Sequence, residues 1–287
     1  MTTFKITPEQ LNELLANGTV TITTELTIVH SRGGAAAEPT QGSAAAEPTQ
    51  GGAAAEPTQG SAIKVIVMRH GDRSDDGAPT DNPVTNKRAE DPSLSQEGFK
   101  TASRVACDIL RNQPIDKIVS SPMLRCAQTA GQVSVGIGKT SDGTFHTVNI
   151  DSSLIEVWHR KVLKVEKIQD AKLCTDKPGL PEEVTFTDFP TKLPTVEETR
   201  GIGGSADARF CEAIRNIATS SSKEGHKTVV LVTHGDCLGS AVAMMAPDKS
   251  VYEVEYCGIV TAVFDPKTGK WKLLPDECHG IGMTGSD

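Results

Sequence analysis

From Ile63 onward the chain alternates between strand, loop and helix, and this alternation limits the folds that it can adopt. Each predicted strand is a short run rich in valine, isoleucine and threonine, followed by polar or glycine residues. The predicted strands are Ile63–Met68, Lys117–Ser120, Thr147–Ile150 and Thr228–Thr233. Strands joined by helical crossovers run parallel and need cover on both faces. The sequence therefore predicts an α/β domain, a three-layer sandwich around a mainly parallel sheet.

Helices and a hairpin complete the predicted domain. Apolar residues recur at helical spacing in Gln96–Arg111 and again in Ala206–Ala218, so one face of each helix is expected to pack on the sheet. Near the C-terminus, Ile259–Phe264 and Trp271–Leu274 flank a turn that contains proline and glycine. This pattern predicts a β-hairpin at the end of the domain.

A low-complexity segment precedes the first strand. Three nine-residue units, each reading AAAEPTQG plus a small residue, lie end to end at Ala35–Ser43, Ala44–Gly52 and Ala53–Ser61. No unit contains a large apolar residue, so the segment cannot bury enough surface to offset its ordering entropy. The sequence predicts a disordered linker over residues 31–62, and a surface docking array is the alternative.

The first thirty residues form a separate small region. Thr7 and Pro8 are typical of a helix start, and Gly18 is typical of its end. Thr19–Val29 then alternates β-branched and polar residues as a strand does. Thirty residues seldom fold alone, so this region is expected to dock on the main domain or on a partner. The predicted division is an extension at 1–30, the linker at 31–62 and a catalytic domain at 63–287.

Composition excludes several classes of partner. The formal net charge of −8 argues against a broad basic surface for nucleic acid or for an anionic membrane. No uninterrupted apolar run is long enough to span a bilayer, and the N-terminus lacks the pattern of a secretory signal. The cysteines are odd in number and scattered, which favours reduced thiols in the cytoplasm. The oligomeric state is left open, a homodimer included.

The most specific chemistry follows the first strand, where Arg69 and Arg73 flank His70. Two fixed positive charges disfavour a metal cation beside this histidine. Planar guanidinium groups instead suit the oxygens of a phosphate, and a neutral imidazole is a competent nucleophile. The local pattern therefore indicates a histidine that attacks a phosphoryl group held by arginines.

Three further motifs follow the other predicted strands. Ser121 and Pro122 predict a helix start, with Ser121 as N-cap and Arg125 in the first turn, where anions are favoured. Glu156 is a candidate proton donor if burial or a bound phosphate raises its pKa, and His234 offers a second imidazole. Ligands of open α/β sheets bind beyond the carboxyl ends of the strands, so all four motifs should converge. The acids that compete with Glu156 are Asp72, Asp75, Asp151 and Asp236.

Together these motifs resemble the histidine phosphatase superfamily, also called phosphoglycerate mutase-like. The matching segments are Arg69–Gly71, Leu94–Gly98, Ser121–Ala130, Glu156 and Val232–Gly235. The resemblance implies a phosphoglycerate mutase-like fold and a phosphomonoester hydrolase that forms phosphohistidine on His70, with Glu156 as proton donor and water as acceptor. It implies no metal and no organic cofactor. The implied phosphate-binding residues are Arg69, Arg73, Arg125 and His234, with His234 also counted as catalytic.

Within the superfamily, the chain resembles the phosphatase domain of the suppressor of T-cell receptor signalling proteins. The likeness lies in Arg73, in Leu124–Ala130 and in Leu154–Trp158. It implies a phosphoprotein or a phosphorylated small molecule as substrate, since that group acts on phosphotyrosine proteins or steroid phosphates. Asp236 departs from the pattern, because serine is usual there, and a carboxylate beside the pocket would repel phosphate.

Two alternatives stay open on sequence alone. One is a sugar-phosphate phosphatase or a mutase, although the Glu-Ser and Gly-Trp segments expected of a phosphoglycerate mutase after the histidine motif are missing. The other is a pseudophosphatase that binds phosphorylated partners without hydrolysing them, which Asp236 and the docking-like N-terminal region suggest.

Overall fold

The computed structural model of the chain describes residues 60–75, 91–156, 176–190 and 206–285. These residues belong to one compact unit, which spans 55–287. The predicted helix and strand of the N-terminal extension, and the repeats up to Gln59, lie outside the described residues, so the division into three regions stays a prediction. No helix in the described ranges is long and apolar enough to cross a membrane.

The described strands form one mixed, mostly parallel sheet. They are β1 (Ile63–Arg69), β2 (Lys117–Ser120), β3 (Val148–Ile150), β4 (Thr228–Thr233), β5 (Ser250–Asp265), β6 (Lys270–Leu273) and β7 (His279–Thr284). Their order is β3-β2-β4-β1-β5-β6, and β7 also pairs with β5. The first four strands of this order run parallel, whereas β5 is antiparallel to β1, β6 and β7.

Helices cover both faces of the sheet, which confirms the three-layer α/β prediction. The helices are α1 (Gln96–Val105), α2 (Leu124–Ile137), α3 (Ala206–Lys223) and α4 (Gly235–Met245). Side chains alternate across β1, so Val65 and Val67 pack with α3 and α4, while Ile66 and Met68 pack with α1 and α2. All residues of β4 are buried, as expected for a central strand covered on both sides.

Several predicted boundaries differ from the structure. The helix predicted to Arg111 changes at Val105 into a π-helical turn, Ala106–Leu110, and the second predicted helix continues to Lys223. The hairpin is present, but β5 begins at Ser250, nine residues before the prediction, because β7 pairs with its first half. Exposed residues alternate there with partly buried ones, so this half lacks the continuous apolar run that marks a buried strand.

Candidate active site

The four motifs meet at one edge of the sheet. β1 and β4 are neighbours in parallel register, so that Arg69 pairs with Thr233, and His70 and His234 follow directly. The Thr233 carbonyl accepts a hydrogen bond from the His70 amide at 2.9 Å. β2 lies on the other side of β4 and leads into the helix that carries Arg125. β3 lies beyond β2 and leads through the 3₁₀ turn Ser152–Leu154 to Glu156. The strand order therefore gathers these four side chains.

His70 is buried and its two ring nitrogens have different partners. Nδ1 lies 2.7 Å from the carbonyl oxygen of Gly71, which can only accept, so Nδ1 carries the proton. Nε2 then has a free lone pair and accepts from Nε of Arg125 at 3.1 Å. This arrangement makes Nε2 the nucleophilic atom.

Arg125 links the histidine to the acid. It occupies the first turn of α2, as predicted, and its Nη2 donates to Oε2 of Glu156 at 3.0 Å. The prediction of Ser121 as N-cap was wrong, because α2 begins at Leu124 with Met123 as its N-cap. The Ser121 hydroxyl is used elsewhere: it lies 3.0 Å from Nε2 of His234. Instead, the buried carboxylate of Asp91 accepts from the Leu124 amide at 2.8 Å.

His234 is oriented by hydrogen bonds to Glu156 and Ser121. Its Nδ1 lies 3.0 Å from Oε2 of Glu156 and 3.2 Å from Nη2 of Arg125. If Nδ1 of His234 carries a proton, Oε2 of Glu156 accepts from two donors, this N–H and Nη2 of Arg125. If Nδ1 carries no proton, its lone pair faces a lone pair of Oε2, which is repulsive. Nδ1 of His234 is therefore the donor, and Nε2 accepts from the Ser121 hydroxyl. The rings of the two histidines lie edge to face with centroids 5.4 Å apart.

Burial and neighbouring charges set the protonation states. Burial, with the charges of Arg125 and His234, holds the pKa of His70 well below its ordinary value, so His70 is neutral at pH 7. Burial also lowers the pKa of His234 to about 4, against the opposing pull of Glu156. For Glu156, burial would raise the pKa, but His234 and Arg125 outweigh it and hold the pKa well below its ordinary value. The carboxyl is thus ionised here, so burial does not raise its pKa, and of the two conditions for a proton donor only a bound phosphate is left.

The other two arginines have partners away from this cluster. Nη1 of Arg69 donates to the Val254 carbonyl at 2.5 Å, and its guanidinium lies over the ring of Tyr256, 4.0 Å from the centroid. Arg73 makes a two-pronged ion pair with Asp75, at 2.9 and 2.7 Å. The structure therefore places Arg125, not Arg69 or Arg73, in direct contact with His70.

The competing acids are held in other ways. Asp72 accepts from the Ser95 hydroxyl at the start of α1, Asp75 pairs with Arg73, and Asp151 caps the 3₁₀ turn before Glu156.

Asp236 is half-buried in the first turn of α4, beside a cavity of about 490 Å³ that Arg69 also lines. Burial, then the charges of Glu156 and Asp207, raise the pKa of Asp236. Of Glu156 and its four competitors, Glu156 is the acid that contacts both an imidazole and Arg125 directly.

A metal ion does not fit the cluster. The ligand atoms of His70, Glu156 and His234 lie within 4.8 Å of one another, a spacing that a cation could use. The Arg125 guanidinium, however, donates to both Nε2 of His70 and Oε2 of Glu156. A cation there would have to displace these bonds and face a fixed positive charge.

Sequence reasoning missed one buried cation near the site. Arg209 is only 7% exposed, and its Nη1 donates to the Ser153 carbonyl at 2.7 Å, in the turn that delivers Glu156. Its charge acts on Glu156 and on His234. A signal was available, because Arg209 shares its helical face with Ala213 and Ile217, and an arginine on a buried face needs a partner.

Two buried thiols border the cluster but are not reactive. The Cys126 sulfur lies 3.5 Å from Nε2 of His234, yet burial raises the pKa of this thiol far above its ordinary value. Burial likewise raises the pKa of Cys237 to about 12. Both thiols therefore stay protonated, and a protonated thiol is a poor target for oxidation.

Comparison with known proteins agrees with the fold and the cluster. The family model described as the histidine phosphatase superfamily, branch 1, matches residues 65–277. The chain belongs to this superfamily, whose members are usually phosphatases or mutases acting on phosphorylated substrates. None of the curated protein sequences matches the chain.

Solved structures share the phosphoglycerate mutase-like fold at low identity. The ecdysone phosphate phosphatase of Bombyx mori, solved with tungstate, matches with a TM-score of 0.51 and 18% identity over 78% of this chain and 96% of that chain. The phosphoglycerate mutase of Bacillus anthracis matches with a TM-score of 0.50 and 17% identity over 76% of this chain and 94% of that chain. At these identities the likeness establishes the fold alone.

Proposed function

We propose that the protein is a phosphomonoester hydrolase that works through a phosphohistidine on Nε2 of His70. The observation that carries the proposal is the hydrogen bond from Nδ1 of His70 to the Gly71 carbonyl, which leaves Nε2 unprotonated and within hydrogen-bond distance of Arg125. The low pKa of His70 supports it, because the nucleophile stays neutral throughout the physiological pH range.

In the first step, phosphate oxygens take the donors of Arg125 and His234 that now hold Glu156. The lone pair of Nε2 on His70 attacks phosphorus, and the bond to the leaving oxygen breaks with its electron pair on that oxygen. A bound phosphate next to the carboxyl raises the pKa of Glu156, so the carboxylate takes up one proton from solvent as the substrate binds and gives that proton to the leaving oxygen. Arg69 and Arg73 add positive charge around the pocket.

In the second step, water hydrolyses the phosphohistidine. The Glu156 carboxylate accepts a proton from the water while its oxygen attacks phosphorus, and the P–N bond breaks with its electron pair returning to Nε2 of His70. The products are inorganic phosphate, neutral histidine and protonated Glu156, which returns its proton to solvent as phosphate leaves. No metal or organic cofactor takes part in this scheme.

Hydrolysis of p-nitrophenyl phosphate tests the proposal. We expect His70→Ala to lower kcat by at least about 10³-fold, because it removes the nucleophile. His226→Ala is the matched control, since His226 lies outside the cluster and pairs with Glu224. Substrate labelled with ³²P should leave an acid-labile, alkali-stable label on the wild-type chain. Full activity in His70→Ala would refute the assignment of His70 as the nucleophile.

For the substrate, the resemblance to the suppressor of T-cell receptor signalling phosphatases favours an aryl or alcohol phosphomonoester, such as phosphotyrosine in a protein or a steroid phosphate. A sugar-phosphate phosphatase or a mutase is the alternative within the superfamily. A panel of phosphotyrosine peptides, steroid phosphates and sugar phosphates, compared by kcat/KM, separates these classes.

A pseudophosphatase is a second candidate, and Asp236 favours it. This half-buried acid is close enough to Glu156 for their charges to interact, and it adds negative charge beside the pocket. Tight binding of inorganic phosphate, with no ³²P label and no turnover of any member of the panel, would support a binding module and exclude the hydrolase.

A further inference from the structure

Thr129 lies one helical turn after Arg125 and is fully buried. Its hydroxyl donates to the Arg125 carbonyl at 2.8 Å, a bond that threonines in helices often make. The same oxygen accepts from the Gly71 amide at 3.0 Å, and this second bond crosses from α2 to the loop after β1. A hydroxyl can serve as donor and acceptor at once, which a valine or alanine at this position cannot.

The Gly71 amide belongs to the peptide that directly follows the nucleophile. The carbonyl of the same peptide, that of His70, accepts from the Cys257 amide at 3.2 Å. Thr129 and Cys257 thus hold the two ends of one peptide plane. The next carbonyl, that of Gly71, is the acceptor that keeps the proton on Nδ1 of His70. Since Cys257 acts through its backbone, Thr129 is the side chain on which this support depends.

Close packing explains why the loop relies on such a support. A Cβ atom on Gly71 would lie 2.7 Å from the Gly98 carbonyl oxygen, so the loop contacts α1 backbone to backbone. Gly71 therefore has no side chain with which to fix its own orientation, and glycine has the widest choice of backbone angles.

We propose that Thr129 is a positioning residue that keeps His70 in the Nδ1–H tautomer and aligns Nε2 with Arg125; the proposal rests on the phosphohistidine mechanism above. Without the hydroxyl, the Gly71 peptide turns, its carbonyl leaves Nδ1, and part of the His70 population carries its proton on Nε2. That form has no lone pair with which to attack phosphorus. The phosphate donors of Arg125 and His234 are untouched, so binding persists while the chemical step slows.

The test compares Thr129→Val, which keeps the shape but loses the hydroxyl, with Thr129→Ser, which keeps the hydroxyl. We expect Thr129→Val to lower kcat on p-nitrophenyl phosphate by about 10- to 100-fold, the loss typical of a small misplacement of a reacting group. The Kd for inorganic phosphate should change by less than about threefold, the range of ordinary scatter in such effects. Thr129→Ser should recover most of kcat.

A matched control and a spectroscopic readout separate positioning from stability. Thr219→Val removes the same kind of hydroxyl bond, to the Arg215 carbonyl at 2.7 Å, on the distant part of α3 and should leave kcat unchanged. Histidine ¹⁵N spectra, with the His70 signals assigned by their loss in His70→Ala, should show Nδ1–H in the wild type and a mixture in Thr129→Val. If Thr129→Val does not fold, Thr129→Ala against Thr129→Ser makes the same comparison.

Two results would overturn the inference. One is a Thr129→Val chain with lower Tm but wild-type kcat well below that Tm, which would make Thr129 purely structural. The other is an unchanged His70 tautomer in the variant spectra. If the wild type shows no phosphohistidine, the proposed function fails by itself, and the tautomer measurement still decides the role of Thr129.

Discussion

Replacing Glu156 with glutamine should tighten the binding of inorganic phosphate. In the structure, Oε2 of Glu156 accepts from Nη2 of Arg125 and from Nδ1 of His234, each at 3.0 Å. These are the donors that a phosphate needs, so the carboxylate and the phosphate compete for them. Glutamine keeps the shape and one acceptor oxygen but loses the charge.

The size of the effect follows from those two hydrogen bonds. A bond to a charged acceptor contributes about 1.5–3 kcal/mol and a neutral one about 0.5–1.5 kcal/mol, so each weakens by roughly 1–1.5 kcal/mol in the glutamine variant. Both are given up when phosphate binds, so the variant should bind phosphate about 2–3 kcal/mol more tightly. That corresponds to roughly 30- to 140-fold in Kd.

Isothermal titration of inorganic phosphate at pH 7 measures this change. Glu277→Gln is the matched control, because Glu277 is also ion-paired, to Lys64 at 2.8 Å, but lies outside the cluster. It should leave Kd unchanged. The same variant should be a slower enzyme. In Glu156→Gln, kcat for alkyl phosphates should fall by about 10²–10⁴-fold and kcat for p-nitrophenyl phosphate much less, because poor leaving groups depend most on protonation. Unchanged or weaker phosphate binding by the folded variant would refute the competition.

Three further predictions follow from the site. Because the pKa values of His70 and His234 are lowered in the folded chain, to about 4 for His234, the unfolded chain binds more protons below pH 6.5. The free energy of unfolding, measured with urea, should therefore decrease as the pH falls from 6.5 towards 4, by up to about 1.4 kcal/mol per pH unit for each histidine. An unfolding free energy that stays constant from pH 7 to pH 5 would contradict this. Asp236→Asn should lower KM for p-nitrophenyl phosphate about fivefold at pH 8, as expected for removing roughly 1 kcal/mol of repulsion. The effect should shrink as the pH is lowered, because the pKa of Asp236 is raised and protonation removes its charge. Equal KM values at pH 8 would rule out a repulsive role. Ser121→Ala should lower the free energy of unfolding by about 1–3 kcal/mol and weaken phosphate binding, because Nε2 of His234 loses its hydrogen-bond donor. Ser121→Thr keeps a hydroxyl and should retain both the stability and the Kd of the wild type. A Ser121→Ala chain with wild-type stability and wild-type Kd would argue against this role.

Local pattern was enough to predict the elements that carry the site. The strand at Lys117–Ser120 and the strand at Thr228–Thr233 are present with the predicted bounds, and the helix predicted to begin at Gln96 does begin there. Buried β-branched runs and apolar residues at helical spacing involve only near neighbours in the chain, so the sequence reveals them. The helix start at Leu124 was missed because the Ser121 hydroxyl donates to a distant histidine, while Asp91, thirty-three positions away, accepts from the Leu124 amide.

The roles of the three arginines could not be separated from the sequence. Arg69 and Arg73 are nearest to His70 along the chain, but the structure gives the direct contact to Arg125, fifty-five positions away. Arg69 instead contacts the ring of Tyr256 on β5. The pairing of β5 with β1, which brings these residues together, cannot be deduced from their spacing in the sequence. Proximity in the chain was a poor guide because β1, β4 and β2 lie side by side in the sheet.

The sequence alone determined which residues follow the carboxyl ends of the strands, and therefore that His70, Arg125, Glu156 and His234 could meet. Only the tertiary structure decided the chemistry among them: which nitrogen of each imidazole holds the proton, and that Glu156 is a carboxylate before phosphate binds. The physical reason is that a pKa and a tautomer depend on burial and on partners within a few ångströms, and those partners come from four separate strands.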